Sequence, residues 1–360
     1  MTGESELIVQ IEADDENRQC IDELVRQIST GAGITPFVGA GMSIPYGFPG
    51  WSSFLLGIAS KWDVTDQVSR CMERGLFEKA AEICKQAGED DFQVAMSRNF
   101  GNEKIPHPLL GPICLLPKIA RGPVVTTNFD HLVEAAFHQA GRDLQAVWGS
   151  RATLAIEAFH RNSPVLLKIH GDISDPNERI LTEEEYNRYY GNAGSSPHDS
   201  IAGLIQLVLT VRPLLFLGCS LNRDRIVMFL ERFYQAFRTP QHFAVVERPA
   251  DRQLFLTRKR HLLSHGIRPI WYPPGRHDGI EAILKVVVDR AVIKPPPPLP
   301  TWPILLGAVL GLSFSTWLVF YFESVPLDLP GTSVVMAGWT FVVLVANWLL
   351  HYRRNLSAKR

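Results

Sequence analysis

Four polar clusters hold the residue types that could do chemistry, and each one closes a short apolar run. Gly39-Ala40-Gly41-Met42-Ser43 ends the run at residues 34–38, and Asn128-Phe129-Asp130 follows Pro123-Val124-Val125-Thr126-Thr127. His170-Gly171-Asp172 follows Val165-Leu166-Leu167-Lys168-Ile169, and Gly218-Cys219-Ser220 follows Leu214-Leu215-Phe216-Leu217. A Gly-x-Gly turn lets the main chain come close to a ligand such as a pyrophosphate, and a following helix would add its N-terminal N–H groups. Histidine, with an ordinary pKa of about 6.5, suits proton transfer near neutrality. Asparagine and aspartate supply groups that orient a substrate or a water. Taken singly, each cluster also suits a plain turn: Asn128 and Ser43 are good helix caps, and Asp130 suits the first turn of a helix. Their shared place after a strand is the stronger signal.

The positioning elements follow from periodicity. Residues 18–28 carry a helical stripe (Cys20, Ile21, Leu24, Val25, Ile28) that leads into the strand at residues 34–38. Residues 51–59 read as a helix, and 65–99 keep helical spacing with little β-branching. Residues 109–119 are helical in pattern but interrupted by Pro112 and Pro117. Helices are expected at 132–137 and 225–233, and further strands at 242–246 and 268–272. Strands alternating with helices predict an α/β fold with a Rossmann-like parallel sheet covered on both faces. A small helical insert occupies about 52–120. Ligands of such sheets bind outside the carboxyl ends of the strands, where all four clusters fall.

Composition narrows the class. Charged residues make up 20% of 360 and the net charge is −1, so no basic field points to nucleic acid. The five cysteines form no Cys-x-x-Cys pair, so neither a zinc ribbon nor a disulfide framework is expected. Scattered thiols suit a reducing compartment. Residues 1–17 read as an acidic lead-in without a basic leader pattern, and 18–293 as the main domain. A proline-rich linker covers 294–303. Residues 304–322 and 334–350 carry no charge; the first would span about 28 Å as a helix. With an acidic loop between them and a basic tail at 351–360, the expectation is two transmembrane helices and a multi-pass inner (cell) membrane location. The lipid bilayer is then a partner and the main domain faces the cytoplasm.

The ordered motifs resemble the sirtuin signatures. Gly39-Ala40-Gly41-Met42-Ser43 with Gly47-Phe48-Pro49 resembles Gly-Ala-Gly-x-Ser with Gly-Ile-Pro. Thr127-Asn128-Phe129-Asp130-His131-Leu132 resembles Thr-Gln-Asn-x-Asp-x-Leu, with one residue fewer between Thr and Asn. His170-Gly171 resembles the catalytic His-Gly, and Gly218-Cys219-Ser220-Leu221 resembles Gly-Thr-Ser-Leu. The chain departs from the deacylases where Gly50, Trp51 and Ser52 align with Asp-Phe-Arg, and in lacking the zinc-binding pairs. It is similar to the sirtuin-like NAD-cleaving domains of bacterial antiphage defence, which lack the ribbon.

What the resemblance implies is an NAD+ glycohydrolase that releases nicotinamide and ADP-ribose, an NAD-depleting effector with NAD as substrate and no zinc. Homo-oligomerisation is expected. Asn128 and His170 would be catalytic: Asn128 orienting the ribose and the attacking water, His170 acting as base through the ribose hydroxyls. Gly39, Ala40, Gly41, Ser43, Asp130, Gly218, Ser220 and Glu247 would bind the dinucleotide, Asp130 beside nicotinamide and Glu247 at the adenine ribose. The alternatives are a non-catalytic sensor of NAD or ADP-ribose coupled to a membrane module, and a protein deacylase. Tyr186, Tyr189 and Tyr190 read as one packed helix face.

Overall fold

The computed structural model describes residues 3–29, 33–190, 203, 204, 208, 212–221 and 241–291, all within the unit Met1–Lys294. The expected helix at 225–233 lies outside the described residues, as do the linker, both expected spans and the basic tail.

Seven parallel strands form one sheet: β1 (Thr35–Val38), β2 (Val124–Thr126), β3 (Ala146–Val147), β4 (Leu166–Lys168), β5 (Leu214–Leu217), β6 (His242–Glu247) and β7 (Ile267–Tyr272). Their order is β3-β4-β2-β1-β5-β6-β7. Six of these match strands expected from apolar runs. The seventh, β3, is a two-residue edge strand, too short to show any alternation.

The period of two sorts each strand's side chains onto two faces. In register, Phe37 opposes Val125 and Phe216, while Val38 opposes Thr126 and Leu217. Phe37, Val125, Leu167, Phe216 and Ala244 join one buried layer. Val38, Val124, Leu166, Leu217 and Val245 join the other. Burial on both sides explains why these strands read as unbroken apolar runs rather than alternating ones.

The second layer is closed by helices α1 (Gly3–Glu12), α2 (Asp15–Ser29), α3 (Trp51–Ala59), α4 (Thr65–Glu73), α5 (Phe77–Ala87) and α6 (Glu89–Phe100), with α7 (Leu116–Ile119), α8 (Leu132–Gln139) and a last helix at Gly279–Arg290. The opposite layer takes side chains from α9 (Ala155–Arg161), α10 (Glu183–Tyr190) and α11 (Arg252–Ser264), so the helix at Gly279–Arg290, the last among the described residues, is α12. Helices α3 to α6 lie between β1 and β2, where the helical insert was expected.

Three sequence expectations change. Residues 3–12 form a helix rather than a loose lead-in: Leu7 and Ile11 are buried, and Glu4 and Glu12 pair with Lys285 and Arg290 of α12. The apolar residues of that acidic stretch supply the missing docking face. The glycine turn after β1 does not open an α-helix; two 3-10 turns, Ala40–Met42 and Ile44–Tyr46, intervene. The third change concerns location. Among the described residues no helix is long and apolar enough to cross a membrane, which overturns the inner-membrane assignment for them. The longest of these helices, α2, has 15 residues, about 22 Å, and carries Asp22, Glu23 and Arg26 on its solvent side.

Candidate active site

The connection from β1 runs to β2 on one side, and the chain later returns to lay β5 on the other side of β1. The topological switch therefore lies between β1 and β5, the place where doubly wound sheets receive ligands. All four polar clusters lie at this carboxyl edge.

The β1 and β5 loops touch through their backbones. Gly41 N donates to Gly218 O (2.9 Å) and Gly39 N to Leu217 O (2.9 Å). A Cβ on Gly39 would stand 2.6 Å from Gly218 O, and one on Gly218, whose φ is +65°, would stand 2.4 Å from Met42 N. These glycines are required by loop-to-loop packing. Ala40 and Ser220 remain exposed on the two loops.

The β2 loop is built from side chains. Thr126 Oγ1 donates to Val38 O (2.9 Å) and accepts from Asn128 N (3.0 Å), which sets the turn. Asn128 Nδ2 then donates to Gly39 O (3.1 Å) and Ser43 Oγ (3.0 Å). Ser43 Oγ donates in turn to Asp130 Oδ2 (2.8 Å), whose other oxygen accepts from Leu132 N (3.1 Å). Asn128, Ser43 and Asp130 are all buried, so three of the expected site residues form one bonded chain. Ser43 stands at the start of the 3-10 turn Ile44–Tyr46 without a side-chain cap bond, and Asp130 is the residue whose side chain satisfies the first turn of α8. Between Asn128 and Asp130, Phe129 enters an aromatic cluster of the insert, 6.1 Å from Trp51 and 6.0 Å from Phe100 by ring centroids. Trp51, where the chain departs from the deacylase pattern, is thus a packing residue.

Burial raises the Asp130 pKa; Lys168, Leu132 N and Ser43 oppose this without cancelling it. Lys168 is fully buried and was missed by motif reading. Its Nζ donates to Phe129 O (3.0 Å), Asp130 O (2.8 Å) and Glu134 Oε1 (3.1 Å), and pairs with Asp172 at 2.6 Å. Asp172 also meets His131 Nε2 (2.9 Å) and accepts from Ser174 N (2.8 Å). Burial would push the Asp172 pKa up, but the bonds from His131 and Lys168 outweigh it and hold the carboxyl well below the usual carboxylate range. His131, Glu134 and Asp172 converge as a metal site would, yet the Lys168 ammonium already supplies the cation among them. A lysine inside a run buried on both faces was the available signal.

His170 ends the β4 unit and is half-buried. Its carbonyl accepts from Ile180 N (2.9 Å). Gly171 must follow it: φ is +90°, and a Cβ would lie 2.4 Å from Glu178 O. Burial lowers the His170 pKa to about 4, so the ring is neutral at pH 7. Its Nε2 lies 3.1 Å from Tyr186 Oη of α10. Tyr186 and Tyr189 do pack against the layer as a helix face, but the contact between Tyr186 and the histidine is a feature that the tyrosine spacing could not reveal. The Lys168–Asp172 pair, with Lys168 Nζ bonded to the carbonyls of Phe129 and Asp130, links the His170 loop to the Asn128 loop.

Glu247 lies at the exposed end of β6, two strands from β1, and its Oε1 accepts from Gly275 N (2.7 Å). The sheet puts it on the same edge as the other expected residues but not among them.

Part of the sequence is similar to known proteins. Residues 123–270 match the SIR2-like domain. The chain is 23% identical over 253 residues to "NAD(+) hydrolase ThsA" of Acinetobacter baumannii (strain 532279), covering 64% of this chain and 45% of that protein. It is 24% identical over 222 residues to "NAD(+) hydrolase ThsA" of Bacillus cereus (strain MSX-D12), covering 60% and 43%. Over 225 residues it is 25% identical to "Defense-associated sirtuin 2" of Bacillus subtilis, covering 59% and 20%. The chain thus spans less than half the length of these relatives.

Proposed function

We propose that this domain hydrolyses the nicotinamide–ribose bond of NAD+, giving nicotinamide, ADP-ribose and a proton, and that it acts as an NAD-depleting defence effector. The observation that carries the reading is the buried chain of Asn128, Ser43 and Asp130 beside a neutral histidine on the neighbouring strand. The similarity to proteins named NAD(+) hydrolases supports it.

As the bond to nicotinamide breaks, positive charge develops on the ribose. Groups fixed in advance lower the barrier because they need no reorganisation when that charge appears. Asn128 is so fixed: both donors of its amide nitrogen are engaged, which directs the remaining face of the group. In this reading it orients the ribose and the attacking water. His170 takes the proton through the ribose hydroxyls, a role open to it because burial keeps its ring unprotonated. Asp130 flanks the nicotinamide end. Ala40, Gly41, Gly218 and Ser220 shape the place for the phosphates and adenosine. Glu247, which accepts from Gly275 N at the exposed end of β6, is not needed for the cleavage step in this reading.

The test is nicotinamide release from NAD+ by the purified full chain, with Asn128→Ala and His170→Ala beside it. Each variant is expected to remain folded and to lose on the order of 10²–10⁴ in turnover; Asn128→Ala should also lose about 1–3 kcal/mol of stability, because Gly39 O and Ser43 Oγ are left without its amide. Because the His170 pKa is lowered to about 4, activity should persist through pH 6 and fall as the ring protonates near pH 4. Tight NAD binding without nicotinamide release would instead support a sensor.

A further inference from the structure

Arg179 is the anomaly of the segment that follows His170. It is 1% exposed, and Nε, Nη1 and Nη2 of its guanidinium make no hydrogen bond. An arginine stays charged in a protein, and a charge held out of water without a bond is costly. Burial lowers its pKa, and the carboxylates that oppose this, Glu185, Asp172 and Asp175 in order of strength, do not cancel it. The charge therefore works against the fold as it stands.

Each of those carboxylates is engaged elsewhere. Asp172 is held by Lys168 and His131, and Asp175 accepts from Trp148 Nε1 (3.2 Å) and Asn177 N (3.3 Å). Glu185 is bonded through both oxygens. Its Oε2 accepts from Leu181 N (2.8 Å) and Thr182 N (3.0 Å), and its Oε1 from Lys85 Nζ of α5 (2.9 Å). The bond to Lys85 is the one most readily given up. Lys85 is 27% exposed and has Glu89 at 3.7 Å as a second partner, whereas Lys168 beside Asp172 is fully buried. The main chain ties these charges to His170: Ile180 N donates to the His170 carbonyl (2.9 Å), and a Cβ on Gly171 would stand 2.8 Å from Arg179 Cα.

We infer that Lys85 and Arg179 are alternative cations for Glu185, and that exchange between them couples the helical insert to the segment holding His170. With Lys85 on Glu185, α5 is tied to α10 and the guanidinium is left without a bond. With Arg179 on Glu185, the buried charge is satisfied, α5 is released from α10, and residues 179–185 close on themselves beside His170. A guanidinium suits a carboxylate better than an ammonium does, so the seating of α5 is what keeps Lys85 in place. Whatever displaces the insert shifts the balance toward Arg179. The exchange is independent of which bond the site cleaves.

The test is a cycle of Lys85→Met, Arg179→Met and the double variant in the full chain, read by unfolding midpoint. Arg179→Met should raise the midpoint by about 2–4 °C, since an unbonded buried charge is removed and most of the stem is kept. Lys85→Met should shift it by less than about 2 °C, because Arg179 takes over Glu185. The double variant should fall below both single variants, since Glu185 then has no cation. In Lys85→Met the amides of Ile180, Leu181 and Thr182 should exchange with solvent at least about fivefold more slowly than in wild type, the low end of a coupling between sites. A midpoint unchanged or lowered by Arg179→Met, failure to fold included, overturns the inference. So do additive effects, a Lys85→Met chain that does not fold, and unchanged exchange at residues 180–182. A double variant that fails to fold where both single variants fold supports it. None of these readouts uses nicotinamide release, so failure of the NAD-cleavage reading leaves the result intact.

Discussion

The two halves of the carboxyl edge are built on opposite principles. On the β2–β4 side, position is set by buried side chains: Asn128, Ser43 and Asp130 in one chain, Lys168, Asp172 and His131 in another. On the β5–β6 side it is set by backbone: Gly218 against Gly41, with Arg258 donating to Ser220 O and Leu221 O. The side chains of Ser220 and Glu247 face solvent. A buried polar group is costly unless every bond is made, so the first half tolerates one arrangement only. The second half is shaped by where a Cβ is absent, and its outward side chains are replaceable. The contrast teaches that similar-looking motif letters carry different instructions: in Asn128 and Asp130 the side chain matters, whereas in Gly218 it is the room left by having none.

The contrast is testable by breaking each half at its most constrained point. Lys168→Met should have the largest effect. It leaves Asp172 buried without its ammonium, and removing one member of a buried ion pair typically costs about 3–5 kcal/mol; chemical denaturation would read this directly. A loss below about 1 kcal/mol would show that the Lys168 network does not hold the two loops. Gly218→Ala should come next. It forces a side chain into the left-handed region, at about 1–2 kcal/mol, and overpacks the backbone contact, at about 1–3 kcal/mol. NAD affinity, read by calorimetry, should fall as well if this loop receives the phosphates. The smallest effect is expected for Glu247→Gln, which keeps an acceptor for Gly275 N at an exposed strand end. Stability should shift by less than about 0.5 kcal/mol with turnover unchanged. A tenfold loss of turnover there would return Glu247 to the site and erase the contrast.

The sequence was most legible where a single physical rule governs a whole element. Two-sided burial produced apolar runs at all the strands longer than two residues, and the polar clusters fell after four of them. Where several rules compete, legibility ended. Asn128 and Ser43 fit cap chemistry as well as site chemistry, and only their bonds to Gly39 and to one another separate the two. The acidic stretch at residues 3–12 looked loose because its two inward residues, Leu7 and Ile11, are outnumbered by polar ones; docking on α12 decides its state. For the described residues the membrane assignment gave way as well, since their helices are short and two-faced.

The amino-acid sequence by itself determined that the sheet is parallel, where its main strands lie along the chain and the edge on which chemistry could occur, because strand burial, glycine turns and helix periodicity are local properties of the chain. Tertiary structure alone decided which residues at that edge meet. Lys168 lies two residues from His170 in sequence, yet its ammonium serves the Asn128 loop, 38 and 39 residues away at Asp130 and Phe129. Tyr186 meets His170 from 16 residues on. A hydrogen bond depends on distances of about 3 Å, and those are set by the crossover of β1, β2 and β4 and the seating of α10, which no spacing along the chain encodes.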